Sequence, residues 1–583
     1  MSRKPMPALP IRARKVNEEA AAKLSAQGID EFLARLYASR GVRDVMELKT
    51  VGKPLLSWKM LKGAAQAARV LADAIAAKEK IVIVADYDSD GATSCAICYL
   101  ALKTMGASVD FAVPNRFTDG YGLTPPVVKK VHEEFRPSII VTVDNGISSV
   151  DGIDCANALG IRVVVTDHHL PGETIPNAEV IVNPNQPGCE FPSKNMAGCG
   201  VAFYVMAALR EELKARGALP EESAPIQTLL DMVAIGTIAD VVSLDENNRL
   251  LARLGLDRIR QGKAHPGVAA MFMVSRRSMP RATSKDVGFA IGPRINAAGR
   301  LDDMAIGVKC LISDDFPAAL ELALKLNDLN SERKNIESGM QEEAAEQVWN
   351  RTHSSAICVF NESFHEGVIG IVAGRIKERE HRPTIVFAPA GEAGMIKGSG
   401  RSIPGFHFRD ALHMVHQKKP YLLSKFGGHA MAAGMSIQKE HYEEFCSEFN
   451  AVAEGMLTED ILDRYVLTDG DLPGEWISLD FAERLAVDVW GQGFPEPLFT
   501  SRFKIVSQDL IKEQHLKLQL EKDGYVFQAM WFFQSEKFKS SDIEAVYTIE
   551  PGEWRGEVFV QLQIAQASEL PDDDLSVDPR LGA

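Results

Sequence analysis

No apolar run in this 583-residue chain reaches the roughly 18 residues needed to span a bilayer, which excludes a bundle of transmembrane helices. The first residues, MSRKPMPALPIRARKV, are basic but carry no apolar h-region, so no secretory signal is expected. Cysteine is scarce, eight in all, with no disulfide framework in its spacing, and a reducing cytoplasm is the expected compartment. Cys95 and Cys98 form a C-x-x-C, but no second pair stands at zinc-finger spacing; both are expected to pack inside a helix. Positive charge is also in deficit. Lys and Arg number 64 against 79 Asp and Glu, a formal net charge of −15. That argues against a surface coated for non-specific nucleic-acid binding, although a local basic groove remains open.

What is present is enough apolar material, 46% of the residues, for several cores, and the length predicts three or four domains. Residues 1 to about 50 read as helical. From about 60, short continuous apolar strands (IVIVA, VDFAVP, SIIVTVD, RVVVTD) alternate with helices, the pattern of a parallel α/β sheet covered on both faces. Such sheets take ligands beyond the carboxyl ends of their strands. A polar, highly charged helix follows over 316–350, of the kind that bridges domains. A second α/β region runs from about 355 to 455. Five short alternating strands between 465 and 568 suggest a small OB-like β-barrel, and the acidic tail SELPDDDLSVDPRLGA reads as flexible.

Acids and imidazoles stand where strands and helices end. Asp86, Asp88 and Asp90 alternate directly after IVIVA; carboxylates so close repel one another unless a cation holds them, and oxygen donors suit Mg²⁺ or Mn²⁺. Asp144 ends VTVD, where it suits either a helix N-cap or a metal ligand. VVVTDHHLPG places His168 and His169 after Asp167 at another strand end. Asp240 sits in the apolar run GTIADVVSL, costly to bury unless paired or metal-bound. Four such features at one sheet edge fit two Mn²⁺ or Mg²⁺ ions about 4 Å apart that activate water and clamp an in-line displacement at phosphorus. Metal-assisted hydrolysis of a phosphoester or phosphoanhydride is the chemistry they point to.

ADYDSDGATS, VTVDNGIS, VVVTDHHLPG and GTIADVVSL, in this order, resemble the four motifs of the DHH phosphoesterase superfamily. GFAIGPRINAAGRLDD and FGGHAMAAGMSI resemble features of its RecJ family of single-stranded-DNA-specific exonucleases, the second being the glycine-rich signature of the DHH-associated domain. The resemblance covers roughly residues 50–570. It implies an α/β multidomain protein: an N-terminal helical segment at 1–50, a parallel-sheet DHH catalytic domain at 51–315 and a long connecting helix at 316–352. A smaller α/β DHH-associated domain would follow at 353–455, then an OB-like barrel at 465–568 and a flexible tail at 569–583.

It also implies a 5′-to-3′ exonuclease that releases mononucleotides with Mg²⁺ or Mn²⁺ in recombinational and mismatch repair. Single-stranded DNA would be the substrate, and a single-stranded-DNA-binding protein and a RecQ-type helicase would be partners of a cytoplasmic, nucleoid-associated monomer. By motif, the metal ligands would be Asp86, Asp88, Asp90, Asp144, His168 and Asp240, with Asp144 bridging. Catalysis would rest on Asp88, Asp144, His168, Asp240 and His169, the last supporting the ligands or touching the scissile phosphate.

Gly427, Gly428 and His429 could bring backbone and imidazole close to a phosphate, or serve tight packing. Arg375, Arg401 and Ser402 could grip neighbouring phosphates, with a surface ion pair as the plainer reading of Arg375. Arg294, Asn296 and Arg300 could line the strand's path, and Phe406, His407, Trp531 or Phe532 could stack on bases. The run SRRSMPRATSK is either a basic patch or a solvated loop. A strand held in a groove between two domains could slide after each cleavage. The competing readings are a superfamily phosphodiesterase on short oligonucleotides or cyclic dinucleotides, and a non-catalytic replication scaffold. Chain length disfavours the first, and the full set of acids and imidazoles disfavours the second.

Overall fold

The structure, a computed structural model, describes residues 8–50, 52–349, 354–392, 394–554 and 556–570. The tail expected after 569 therefore lies outside the described residues from 571 onward. Two compact units emerge, one of residues 1–295, 304–323 and 465–583, the other of residues 296–303 and 324–464. Among the described residues no helix is long and apolar enough to cross a membrane.

The first unit opens with a short strand, β1 (Ile11–Ala13), and the helices Glu18–Ala26 and Glu31–Ala38. Its main sheet comprises β2 (Lys80–Ala85), β3 (Ser108–Ala112), β4 (Ile139–Val143), β5 (Arg162–Thr166) and β6 (Val180–Val182), in the order β3-β2-β4-β5-β6. Every pairing is parallel, and Ala85, Val143, Thr166 and Val182 lie in register at the carboxyl edge. The β-branched runs in β2, β4 and β5 are buried because helices cover both faces. One face (Val82, Val84, Ile140, Val163, Val165) packs on the helices Pro125–Phe135 and Val150–Ala158. Helices Ser89–Thr104 and Gly198–Ala215 cover the alternate residues, and Leu230–Ala239 packs on both of these helices. The strand order reverses at β2, so the crevice beyond β2 and β4 is the topological switch point where such sheets bind ligands. Cys95 and Cys98 are fully buried, as their place inside a helix required.

The charged helix expected near 316–350 is observed as Phe316–Trp349, 34 residues long. It contributes Met340, Ala344 and Val348 to a core of the second unit. The sheet there comprises β7 (Ile357–Phe360), β8 (Thr384–Pro389), β9 (Met395–Arg401), β10 (Lys425–Gly428) and β11 (Ala432–Gln438), in the order β10-β11-β9-β8-β7. Only β7–β8 is parallel; the other three pairings are antiparallel.

The chain returns to the first unit through β12 (Val466–Thr468), which pairs in parallel with β1. β13 (Phe499–Ile511), β14 (His515–Lys522), β15 (Tyr525–Phe532), β16 (Asp542–Trp554) and β17 (Glu557–Glu569) then close a barrel in the order β13-β14-β15-β17-β16. The parallel β15–β17 pairing completes the closure and removes both free edges. The five strands expected from alternation are these five.

Candidate metal centre and nucleotide-binding residues

Asp86 follows the last residue of β2, and its backbone N–H donates to the Val143 carbonyl, holding it at the sheet edge. Asp88 caps the next helix: its Oδ1 accepts from the backbone N–H groups of Asp90 and Gly91. Asp90, fully buried, accepts from the N–H groups of Gly198 (2.6 Å) and Cys199 (2.9 Å) at the start of another helix. Asp144 stands directly after β4 at φ +60°, a left-handed backbone that a non-glycine residue seldom takes. It is no N-cap; the following helix starts at Val150. Asp240 ends the helix Leu230–Ala239. Glycines make room for these carboxylates. A Cβ at Gly198 would lie 2.7 Å from Asp144 Oδ1, and one at Gly236 would lie 2.8 Å from Asp90 Oδ1.

His168 Nε2 lies 3.1 Å from Asp144 Oδ1, 3.6 Å from Asp240 and 3.9 Å from Asp90. Asp167 is outside the groups of candidate ligand atoms. Its Oδ1 takes the N–H groups of His168 and His169 and sits 2.8 Å from His169 Nδ1, while its Oδ2 takes the N–H of Ile147. Both carboxylate oxygens are thereby spent on protein groups: Oδ1 fixes the His168–His169 backbone and the His169 ring, and Oδ2 the turn at Ile147.

The electrostatics call for a cation. Burial and neighbouring carboxylates push Asp144 and Asp240 well above the ordinary range, and Asp86 up to about 8. Burial raises Asp90 and lowers His168. Burial would also lower His169, but its hydrogen bond to Asp167 and the surrounding negative charge outweigh that and lift it to about 9. Asp144 Oδ1 and His168 Nε2 are buried with no hydrogen-bond partner, a costly state for two polar atoms. Their ligand atoms fall into three groups, each spanning at most 4.8 Å: Asp86, Asp88 and Asp144; Asp144, His168 and His169; Asp90, His168 and Asp240. Carboxylate and imidazole donors without thiolate fit Mn²⁺ or Mg²⁺, and Asp144 and His168 are each shared by two of the groups.

Comparison with known proteins agrees with this geometry. Residues 80–237 match the DHH family, N-terminal domain; residues 333–455 match the DHHA1 domain; residues 468–566 match the RecJ OB domain. The chain is 48% identical over 553 residues to the single-stranded-DNA-specific exonuclease RecJ of Dickeya dadantii, covering 91% of this chain and 95% of that one. The chain belongs to the RecJ family. The RecJ of Escherichia coli is 45% identical, with 95% of this chain and 98% of that one covered. RecJ from Thermus thermophilus in complex with Mn²⁺ superposes with a TM-score of 0.80 at 27% identity, covering 97% of this chain and 80% of that one.

The remaining residues expected to contact nucleic acid in this RecJ-family chain are distributed more widely. Arg294, Asn296 and Arg300 share the helix Gly292–Leu301; Arg294 donates to the Ala290 carbonyl and Arg300 to that of Gly367. In the second unit Arg401 ends β9 beside Ser399 and Gly370: a Cβ at Gly370 would lie 2.7 Å from the Arg401 guanidinium. Gly427 pairs with Gly434 across β10 and β11, and a Cβ at either would meet nothing within 4 Å. That leaves open backbone beside His429, whose N–H donates to Ala432 in the turn. Arg375 is paired with Glu337 and Glu378.

Two expectations need correcting, and one open alternative is narrowed. The Ser402 hydroxyl is buried and donates to the Phe406 carbonyl, so it faces the interior. Phe406 is buried among Phe408 and Phe449, which removes it as a stacking surface. Arg277, Arg281 and Lys285 of the basic run pair with Asp286, Glu553 and Glu496, which neutralises much of that patch.

The sequence reading missed Tyr87, Arg116 and Tyr121. The Arg116 guanidinium lies 4.3 Å over the Tyr87 ring, with its buried Nε unpartnered. The Tyr121 hydroxyl lies 3.4 Å from His169 Nε2. Arg116 and Tyr121 belong to the irregular stretch VPNRFTDGYGL after β3; its arginine beside a Gly-Tyr-Gly turn was the only available signal.

Proposed function

We propose that the protein is a single-stranded-DNA-specific exonuclease that hydrolyses phosphodiester bonds from the 5′ end and releases 5′-mononucleotides. The observation that carries this reading is the buried, unpartnered pair Asp144 Oδ1 and His168 Nε2, set among four further carboxylates in a RecJ-family chain. Asp86, Asp88, Asp90, Asp144, His168 and Asp240 would hold two Mn²⁺ or Mg²⁺ ions. Bound there, the ions supply an activated water and the positive charge that stabilises an in-line displacement at phosphorus.

The protein's own groups fix everything around that chemistry. Asp167 anchors His169 through Nδ1, leaving Nε2 on the partly exposed side, where it can donate to a phosphate oxygen. Arg116, with its unpartnered Nε, supplies a fixed cation beside the acids for a phosphate of the strand. The open glycine backbone at Gly427 with His429, and Arg401, would bind further phosphates. The closed barrel suits a groove for single strands. A single-stranded-DNA-binding protein and a RecQ-type helicase would present opened strands to such an enzyme, which would work at the nucleoid during repair.

The test is digestion of one oligonucleotide labelled at either end, with Mn²⁺. The 5′ label should leave at once as a mononucleotide while the 3′-labelled strand shortens stepwise, and duplex DNA should persist. Intact single strands, or rapid turnover of dinucleotides with no activity on long strands, would overturn the reading.

A further inference from the structure

We infer that Phe289 and the cleft beside Asp240 form a nucleobase subsite, where a base of the strand next to the scissile phosphate stacks on the Phe289 ring. The inference rests on the exonuclease reading and adds a residue that positions substrate. Phe289 is 80% exposed, although its neighbours Val287, Ala290 and Ile291 are buried. Such exposure leaves an aromatic ring without the burial it would normally gain.

Its position has a local cause. Val287–Ile291 is wound as a π-helix, a widened turn that is rare and concentrates at functional sites. Ser89, between the motif acids Asp88 and Asp90, donates to the carbonyl of Gly292 at the end of this turn, which fixes it against the metal-binding region.

Phe289 lines a cleft of about 270 Å³ together with Thr237, Ile238, Ala239, Val241 and Trp490. Ala239 and Val241 are the chain neighbours of Asp240, so the cleft begins within about one Cα–Cα step, roughly 3.8 Å, of a proposed metal ligand. Val241 is 63% exposed and held at φ +60°, a backbone that β-branched residues avoid. A strained, exposed valine beside a ligand of the metal centre is the kind of local cost that persists at functional sites.

Charge chooses between the parts of a nucleotide. Lys285, on the cleft wall, is paired with Glu496 at 2.8 Å and lies 3.7 Å from Glu550. The lysine's charge is therefore already met by an acid of the same wall, and a phosphate would find no unpaired cation among these lining residues. A flat, uncharged ring is the part of the strand that fits. Every base has a π-face, so a stacking platform holds the strand without reading its sequence.

The experiment uses the full chain, Phe289→Ala and Phe289→Trp, on single-stranded oligonucleotides carrying one abasic site at each of the first four positions. Alanine should raise KM about tenfold and tryptophan should restore it. One abasic position should raise the wild-type KM by a similar factor and add nothing in Phe289→Ala. Because the ring is exposed, the thermal midpoint should not change. An unchanged KM in Phe289→Ala, or equal abasic penalties in both proteins, would overturn the subsite and leave the ring to a protein partner. Wild-type protein that leaves every strand intact would instead overturn the exonuclease reading.

Discussion

Asp144 concentrates the conflict on which the site is built. It is buried at φ +60° among carboxylates, with one oxygen unpartnered. Asp144→Asn should lower Mn²⁺-dependent cleavage by about a thousandfold or more. The same change should raise metal-free stability by on the order of 1 kcal/mol, read as a higher thermal midpoint, because it removes a carboxyl group whose ionisation burial and its neighbours oppose. Loss of activity with loss of stability would mean that Asp144 is structural.

Asp167→Asn leaves every proposed ligand in place yet removes the charge that holds the His169 ring and the backbone N–H groups of both histidines. It should weaken Mn²⁺ binding or activity about ten- to a hundredfold, as measured by metal titration of the rate. At this scale the acids were legible because each stands where an apolar run stops. Arg116 and Tyr121 were not, since an irregular loop carries no period. Phe289 was hidden differently: nothing in GFAIG marks the π-turn that carries the exposed ring.

Glycines set how closely the elements approach the site. Gly198 opens a helix whose first N–H groups bind Asp90, and a Cβ there would press into Asp144 at 2.7 Å. Gly198→Ala should therefore cost about ten- to a hundredfold in metal affinity. Gly339→Ala, in the long helix where a Cβ meets nothing, should leave cleavage unchanged and stabilise by up to about 1 kcal/mol, as read by denaturant unfolding. The strands and helices of the main sheet were readable because burial on both faces imposes continuous apolar strands, and the barrel strands were readable from alternation. The β1–β12 pairing was not, because three-residue strands carry no pattern of their own.

The N-terminal segment, expected as a helical region in its own right, is bound into the first unit by contacts hundreds of residues distant in sequence. Arg40 makes a bidentate pair with Asp469, both bonds 2.8 Å, with its side chain fully buried. Arg14 lies 3.4 Å from the same carboxylate, Tyr37 donates to Asp488, and Phe32 stacks on Trp476 at 5.4 Å. Asp469→Ala would leave a buried guanidinium without its counter-charge and should destabilise the protein by about 3–5 kcal/mol in denaturant unfolding. Pairings at that sequence separation leave no mark on local composition, which is why the segment read as separate.

The central proposal is a carboxylate–imidazole centre that would hold two divalent ions through a shared Asp144. Electron paramagnetic resonance of the full chain titrated with Mn²⁺ tests this directly. Wild-type protein should bind two ions per chain as a spin-coupled pair, and Asp144→Asn should lose the coupling and at least one ion. A single uncoupled ion in the wild type, or a coupled pair that survives Asp144→Asn, would contradict it.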